Sequence, residues 1–276
     1  LYKPADRWLY TRKYSRSCRN ADRIIAISRQ TAGDLVNYWH VPEEKIAVVY
    51  QGCDPAFEKT VGEKQRREVR AAYGLPERYI LSVGTIEERK NLMLTVRAMV
   101  AGKLDIDLVA CGRHTRYADR VMEYAAAHGS RVRMLHSVPF SDLPALYQMA
   151  SVFVYPSFYE GFGIPIVEAL SAGVPVIAST GSCLEEAGGE HSIYVDPDDV
   201  EGMANAMKKV LADEHLRREM IEKGKEYVVR FDPKTLADEM NAVYLKCFDD
   251  KTFTEDRFVQ TSSNKRTKIS HYLPFF

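Results

Sequence analysis

The sequence predicts an α/β protein built around a parallel sheet, and three observations carry that reading. Short apolar runs at residues 23–27, 45–50, 79–83, 106–110, 131–135, 152–155, 174–179 and 193–195 recur almost from end to end. Most are near-continuous Val/Ile/Leu/Ala segments with little period-2 alternation, the pattern of strands covered on both faces. Helical stretches at 92–101, 116–128, 143–150, 165–172 and 200–212 lie between them, so the order reads as repeated βαβ units.

Taken in order, the elements fall into two unequal parts. Residues 1–50 hold a helical lead-in, a strand (RIIAI), a helix at 29–39 and one more strand (KIAVVY). Those pieces are too few to close a core, so they read as the tail of a larger domain. The chain opens on Leu1 rather than Met, which fits an absent upstream piece. Residues 51–63 carry Gly52, Asp54, Pro55 and Gly62 without apolar periodicity and read as an interdomain linker. Residues 64–232 are expected to form one complete α/β domain. A helix at 233–248 is expected to return toward the first part, and the polar stretch 249–276 reads as a loose tail.

Composition narrows the class. The 276 residues are 46% hydrophobic and 28% charged, ordinary values for a folded protein and not those of a disordered or fibrous one. Lys plus Arg (38) equals Asp plus Glu (38), so no global field recruits nucleic acid or an anionic membrane. Any anion must be held by a local cluster of charge. No apolar run approaches the ~18 to 20 residues that span a bilayer. Cys18, Cys53, Cys111, Cys183 and Cys247 are scattered without a CxxC pair. That speaks against a disulfide framework or zinc site and fits a reducing cytoplasm.

In a parallel sheet with helical crossovers the strand-to-helix loops emerge at the carboxyl pole, where ligands bind. Those loops are 84–91 (GTIEERKN), 111–115 (CGRHT), 136–141 (HSVPFS), 156–164 (PSFYEGFGI) and 180–184 (TGSCL). The first places Arg89 and Lys90 just before a helix, where side-chain charge and helix dipole both suit a diphosphate. A solvated pair is the competing reading. In the 156–164 loop, Gly161 and Gly163 let backbone N–H groups approach a ligand closely, and Pro165 suits a first helical position.

Glu160 precedes those glycines and Glu168 falls one turn into the helix, near the same pole. Carboxylates beside a diphosphate would repel it, so sugar or ribose hydroxyls are their expected partners. Cations on one loop and carboxylates on another describe a nucleotide-sugar pocket.

Other motifs are weaker. GFGIPI at 161–166 lacks the third glycine of a dinucleotide fingerprint. Asp105 and Asp107 imitate a metal-binding DxD but precede their apolar run, at the wrong pole. Asp196–Asp199 (DPDD) reads as a turn and N-cap. His114 and His136 sit at the right pole, where ligand contact and plain surface placement are both open. No HxxxH, GxSxG or Walker pattern occurs.

At these residues the chain resembles the retaining glycosyltransferases of family 4. Glu160-Gly-Phe-Gly-Ile-Pro-Ile-Val-Glu168 matches the family's Glu-x7-Glu signature, followed by ALSAGVPVIAS. Upstream, ADRIIAISRQT, VVYQGCDPAF and YILSVGTIEERKNL fit in the same order, so the resemblance runs from about Ala21 to Tyr244. GTIEERKN looks most like the branch rich in mannosyltransferases. The resemblance implies a GT-B fold, with one complete Rossmann-like C-terminal domain and the tail of a second. It also implies transfer of a sugar from a GDP- or UDP-sugar, as substrate, to a glycan or lipid-linked acceptor with retained configuration.

Carried over residue by residue, the resemblance gives Arg89 and Lys90 the donor diphosphate and Glu168 the ribose. Glu160 takes a hydroxyl of the transferred sugar, while backbone N–H groups of Phe162, Gly163 and Ile164 meet the sugar and phosphates. The loop around Val138 meets the base, and Gly84 opens the donor-binding loop. No cofactor and no metal are called for, and nucleic acid is not a partner. The resemblance places the protein in the cytoplasm and allows peripheral membrane contact through an upstream region. The acceptor wall and its catalytic His are also expected upstream, so this chain alone should bind donor with negligible turnover.

Thr85 departs from a frequent arginine, Gln51 from a usual Asn, and Glu88 from a frequent Pro. The Thr85 change leaves fewer cations on the phosphate. A nucleotide-sugar epimerase and a non-catalytic nucleotide-sugar-binding module are the competing classes.

Overall fold

The computed structural model describes residues 4–249; the tail expected at 249–276 lies, beyond Asp249, outside the described residues. In chain order the first part holds α1 (Pro4–Asn20), β1 (Ile24–Ala26), α2 (Arg29–Trp39) and β2 (Ile46–Val48). Among the described residues its two strands pair only with each other, in parallel, with Ile24 opposite Ile46.

The second part begins with α3 (Glu63–Tyr73), β3 (Tyr79–Val83), α4 (Leu92–Ala101), β4 (Asp107–Cys111) and α5 (Arg116–Ala127). It continues through β5 (Val132–Leu135), α6 (Leu143–Gln148), β6 (Val152–Tyr155), α7 (Ile164–Ser171) and β7 (Val176–Ser179). It ends with α8 (Leu184–Gly188), β8 (Ile193–Val195), α9 (Val200–Ala212), α10 (Glu214–Val228) and α11 (Pro233–Asp249).

Strands β3 to β8 form one parallel sheet in the order β5-β4-β3-β6-β7-β8. The inner strands are buried on both faces, as in β6 and β7, which explains why their runs lack alternation. Tyr79, Leu81, Val109, Phe153 and Tyr155 pack under α6 and α7. Ile80, Leu108, Ala110, Val152 and Val154 pack under α4, α5 and α9. The sequence steps outward from β3 to β5 and then returns to β6 on the other side of β3. That reversal is a topological switch point, and a crevice opens there between the loops that follow β3 and β6.

Two helices carry too little apolar surface to be legible locally. Helix α3 (EKQRREVRAAY) buries only Val69 and stops at Gly74, whose φ of 57° is the left-handed C-cap geometry. Helix α10 starts on Asp213, whose carboxylate accepts from the Leu216 N–H.

The linker at 51–63 is more than a tether. Asp54 caps a 3₁₀ turn at Pro55–Phe57, and Phe57 is fully buried against the rings of Tyr147 (5.4 Å) and Phe140 (5.8 Å). A Cβ on Gly52 would lie 2.6 Å from the Phe231 carbonyl oxygen, so only glycine lets these backbones meet. Leu236 of α11 is buried in the same cluster.

Candidate donor site at the switch point

Loops after β3 and β6 carry the two chemistry-bearing stretches, and the switch point brings them into contact. Lys90 Nζ lies 2.6 Å from Glu160 Oε1, and Arg89 Nη1 lies 2.8 Å from Glu160 Oε2. Arg89 Nη2 also pairs with Glu87 Oε1 at 2.9 Å. Lys90 donates to the Tyr155 hydroxyl and sits 4.7 Å from the centre of that ring.

Glu160 is only 8% exposed. Burial alone would raise its pKa, but Lys90 and then Arg89 overcome that and hold it below the ordinary value. Burial pulls the Lys90 ammonium below its usual range despite Glu160. Both Glu160 oxygens thus lie against cations. Summing Glu87, Arg89, Lys90 and Glu160 gives two positive and two negative charges, a locally neutral cluster. Its cations are pre-aligned, and an arriving anion must compete with carboxylates for them.

Glu168 sits on the buried side of α7. Burial raises its pKa, and the Tyr147 hydroxyl, donating to Oε2 at 2.7 Å, opposes that shift. Burial pushes the Tyr147 phenol itself well up, so it is held as a donor. Helix α7 begins at Ile164, one residue earlier than expected, with Pro165 inside its first turn and Gly163 as N-cap at φ 121°.

The loop before α7 has its carbonyls tied outward. Arg89 Nη1 donates to Tyr159 O at 2.7 Å. The Cys183 thiol faces Glu160 O (3.1 Å) and Phe162 O (3.2 Å). Ser28 Oγ and Thr31 Oγ1 donate to Gly161 O at 2.7 and 3.1 Å. No protein acceptor among the described residues takes the N–H groups of Phe162, Gly163 or Ile164. The backbone donors expected from the sequence are therefore free in this structure.

Beside this cluster lies a cavity of about 530 Å³ at the ends of β3, β4 and β5, lined by Gly84, Thr85, Cys111, His114, His136 and Val138 among others. Gly84 and Val138 both line this cavity, and Gly84 joins cavity to cluster: a Cβ there would lie 3.6 Å from Lys90 Cε. Gly112 supports the same corner, since a Cβ on it would come within 1.8 Å of the Gly84 carbonyl oxygen. The His114 and His136 rings meet edge to face at 5.1 Å, and His136 Nδ1 lies 3.0 Å from Gly112 O. Thr85 lines the cavity without adding charge.

Asp105 and Asp107 both pair with Arg131 at the amino pole, away from this site. Asp199 caps α9 through the Gly202 N–H. Glu87, Tyr155, Tyr147 and Cys183 take part in the site but were not singled out from sequence, since none belongs to a spaced motif. Among the described residues no helix is long and apolar enough to cross a membrane.

The fold is that of the GT-B glycosyltransferases. A glycosyltransferase from Rickettsia africae matches with a TM-score of 0.77 at 18% identity, covering 90% of this chain and 69% of that one. Anabaena Alr3699/HepE, solved in complex with UDP and glucose, matches with a TM-score of 0.78 at 19% identity, covering 86% and 66%. A model described as Glycosyl transferases group 1 matches residues 65–227, and one described as Glycosyltransferase Family 4 matches residues 1–57. The chain belongs to the group 1 glycosyl transferases. O-antigen chain mannosyltransferase B of Escherichia coli is 32% identical over 225 residues, 78% of this chain and 58% of that protein. The chain therefore spans little more than half the length of that relative.

Proposed function

We propose that this chain carries the nucleotide-sugar site of a retaining hexosyltransferase that moves mannose from a nucleotide-diphosphate sugar to a glycan or lipid-linked acceptor. The carrying observation is the convergence of Lys90, Arg89 and Glu160 at the β3/β6 switch point, next to a cavity of about 530 Å³. In this reading the base enters the cavity at Val138, and Glu168 receives the ribose. The diphosphate meets Arg89, Lys90 and the free N–H groups at the start of α7, and Glu160 takes a hydroxyl of the sugar. Negative charge grows on the departing diphosphate during transfer, and preplaced cations with a helix N-terminus act where it grows.

The mannosyltransferase relative supports the sugar, and the UDP and glucose held by the Anabaena protein support a nucleotide-sugar donor. Membership of a glycosyltransferase family favours transfer over the isomerase alternative. Titration calorimetry of the chain with GDP, UDP and ADP tests the site, because its pocket then has one preferred base. Incubating the full-length enzyme with the matching sugar donor and acceptor, and reading the anomeric configuration of the product, tests the reaction. An inverted product, or no affinity for any nucleoside diphosphate, overturns the reading.

A further inference from the structure

Helix α2 belongs to the first part of the chain, yet its N-terminus is completed by the second. The first N–H groups of any helix have no partner within it. Here Ser28 caps the Thr31 N–H at 2.9 Å, as its place between strand and helix suggests. The next two donors are taken from far away in sequence. Glu186 on α8 accepts the Arg29 N–H at Oε2 (2.8 Å) and the Gln30 N–H at Oε1 (2.9 Å), one oxygen each. The Tyr50 hydroxyl adds a third bond to Oε2 at 3.1 Å, and the Tyr227 hydroxyl holds the Glu186 backbone carbonyl at 2.8 Å. A negative charge here also lies at the positive end of the α2 dipole.

This docking aims Ser28 and Thr31 at the donor loop. While Ser28 Oγ accepts from Thr31, its proton goes to Gly161 O, and Thr31 Oγ1 donates to the same oxygen. Asp34, one turn further along α2, accepts from the Tyr159 hydroxyl. Gly161 has no side chain to anchor it, so its peptide plane is fixed by what grips its carbonyl. Rotating that carbonyl away would swing the neighbouring Phe162 N–H out of line with those of Gly163 and Ile164.

We propose that Glu186 is a positioning residue: by seating α2 it makes Ser28 and Thr31 orient the 159–163 loop, so the first part of the chain controls the backbone donors of the second. The inference rests on the reading of that loop as the donor cradle, and its test separates the two. Amide hydrogen exchange and amide NMR chemical shifts are followed in the wild-type chain, in Glu186→Gln, in Ser28→Ala/Thr31→Val and in the exposed-surface control Glu190→Gln, with GDP and UDP affinities measured by calorimetry on each.

Glu186→Gln loses the charge and one acceptor. Exchange at residues 28–35 should rise about tenfold or more, the scale of one lost charge-assisted hydrogen bond, the amide shifts of Phe162, Gly163 and Ile164 should move, and affinity for the preferred nucleotide should fall similarly. Strands β3 and β6 should stay protected. Ser28→Ala/Thr31→Val should free the 158–166 segment while Glu186 remains intact, which keeps the test open if Glu186→Gln loosens the whole fold. Unchanged amide shifts at Phe162, Gly163 and Ile164 in the double variant overturn the proposal. Moved shifts there without nucleotide affinity in the wild type uphold the latch and overturn the donor reading instead.

Discussion

Lys90 and Glu160 form a 2.6 Å ion pair across the reversal point of the sheet, one from the loop after β3 and the other from the loop after β6. Neither loop builds the site alone. Strand order makes them neighbours, and burial of Glu160 makes the pair a fixed feature rather than a transient surface contact. Because Glu87 and Glu160 together balance Arg89 and Lys90, the resting site is near neutral. A diphosphate gains most from it if Glu160 turns to a sugar hydroxyl as the anion takes over the cations.

Lys90→Ala in the full-length enzyme should therefore lower kcat by roughly 10²–10³, about 2.7–4 kcal/mol of transition-state stabilisation, as for loss of one preorganised donor. It also leaves Glu160 with Arg89 alone in a buried position, so the pair is better compared with Lys90→Ala/Glu160→Gln. Initial-rate kinetics that place Lys90→Ala within twofold of wild type would refute the role.

Much of this was legible in the chain, and the reason is physical. Strands buried on both faces, such as β6 and β7, write continuous apolar runs and are legible as such, and the eight described strands lie within a residue or two of the runs in the sequence. The carboxyl-pole rule points to Arg89, Lys90 and Glu160 from sequence alone. What stayed hidden depends on partners distant in sequence. Glu186 looks like any acidic residue in a short helix until Arg29 and Gln30 are beside it. Helix α3 is nearly all polar because only Val69 faces the core. Nor does the sequence reveal that the nearest partners of Glu160 are the two cations.

The stretch 51–63 reads as a linker by composition yet is pinned by one ring. Phe57 is fully buried between Tyr147 and Phe140. Phe57→Ala should cost about 3–5 kcal/mol, the range for deleting a buried aromatic side chain. Urea denaturation monitored by far-UV circular dichroism checks it. A loss below about 1 kcal/mol, as for an ordinary surface substitution, would restore the free-tether reading.

Two glycines should respond to the same substitution with opposite signs. A Cβ on Gly112 meets the Gly84 carbonyl at 1.8 Å, backbone against backbone, so Gly112→Ala must displace the start of the 84–91 loop. Its cost should reach or exceed the roughly 1–3 kcal/mol of ordinary overpacking. Gly33 lies within α2 with nothing inside 4 Å of its Cβ position, so Gly33→Ala should stabilise by about 0.5–1 kcal/mol. Thermal unfolding of both variants reads the two signs directly, and equal signs would contradict the packing described.

Glu168 sets function against stability in one side chain. Burial raises its folded-state pKa above the unfolded value, so protonated Glu168 favours the fold. That contribution is present below the unfolded pKa and is lost as pH rises through the folded one. Near neutral pH the chain therefore carries a partly buried carboxylate it would fold better without, and Tyr147 compensates only in part. Glu168→Gln keeps the shape and an acceptor for the Tyr147 hydroxyl while removing the charge. Relative to wild type, its melting temperature should gain between pH 4 and pH 7. Affinity for the preferred nucleotide should fall over the same range if the carboxylate is reserved for ribose hydroxyls. A variant that is less stable than wild type by the same margin at both pH values would show that the carboxylate is not strained, and unchanged nucleotide affinity would remove it from the donor site.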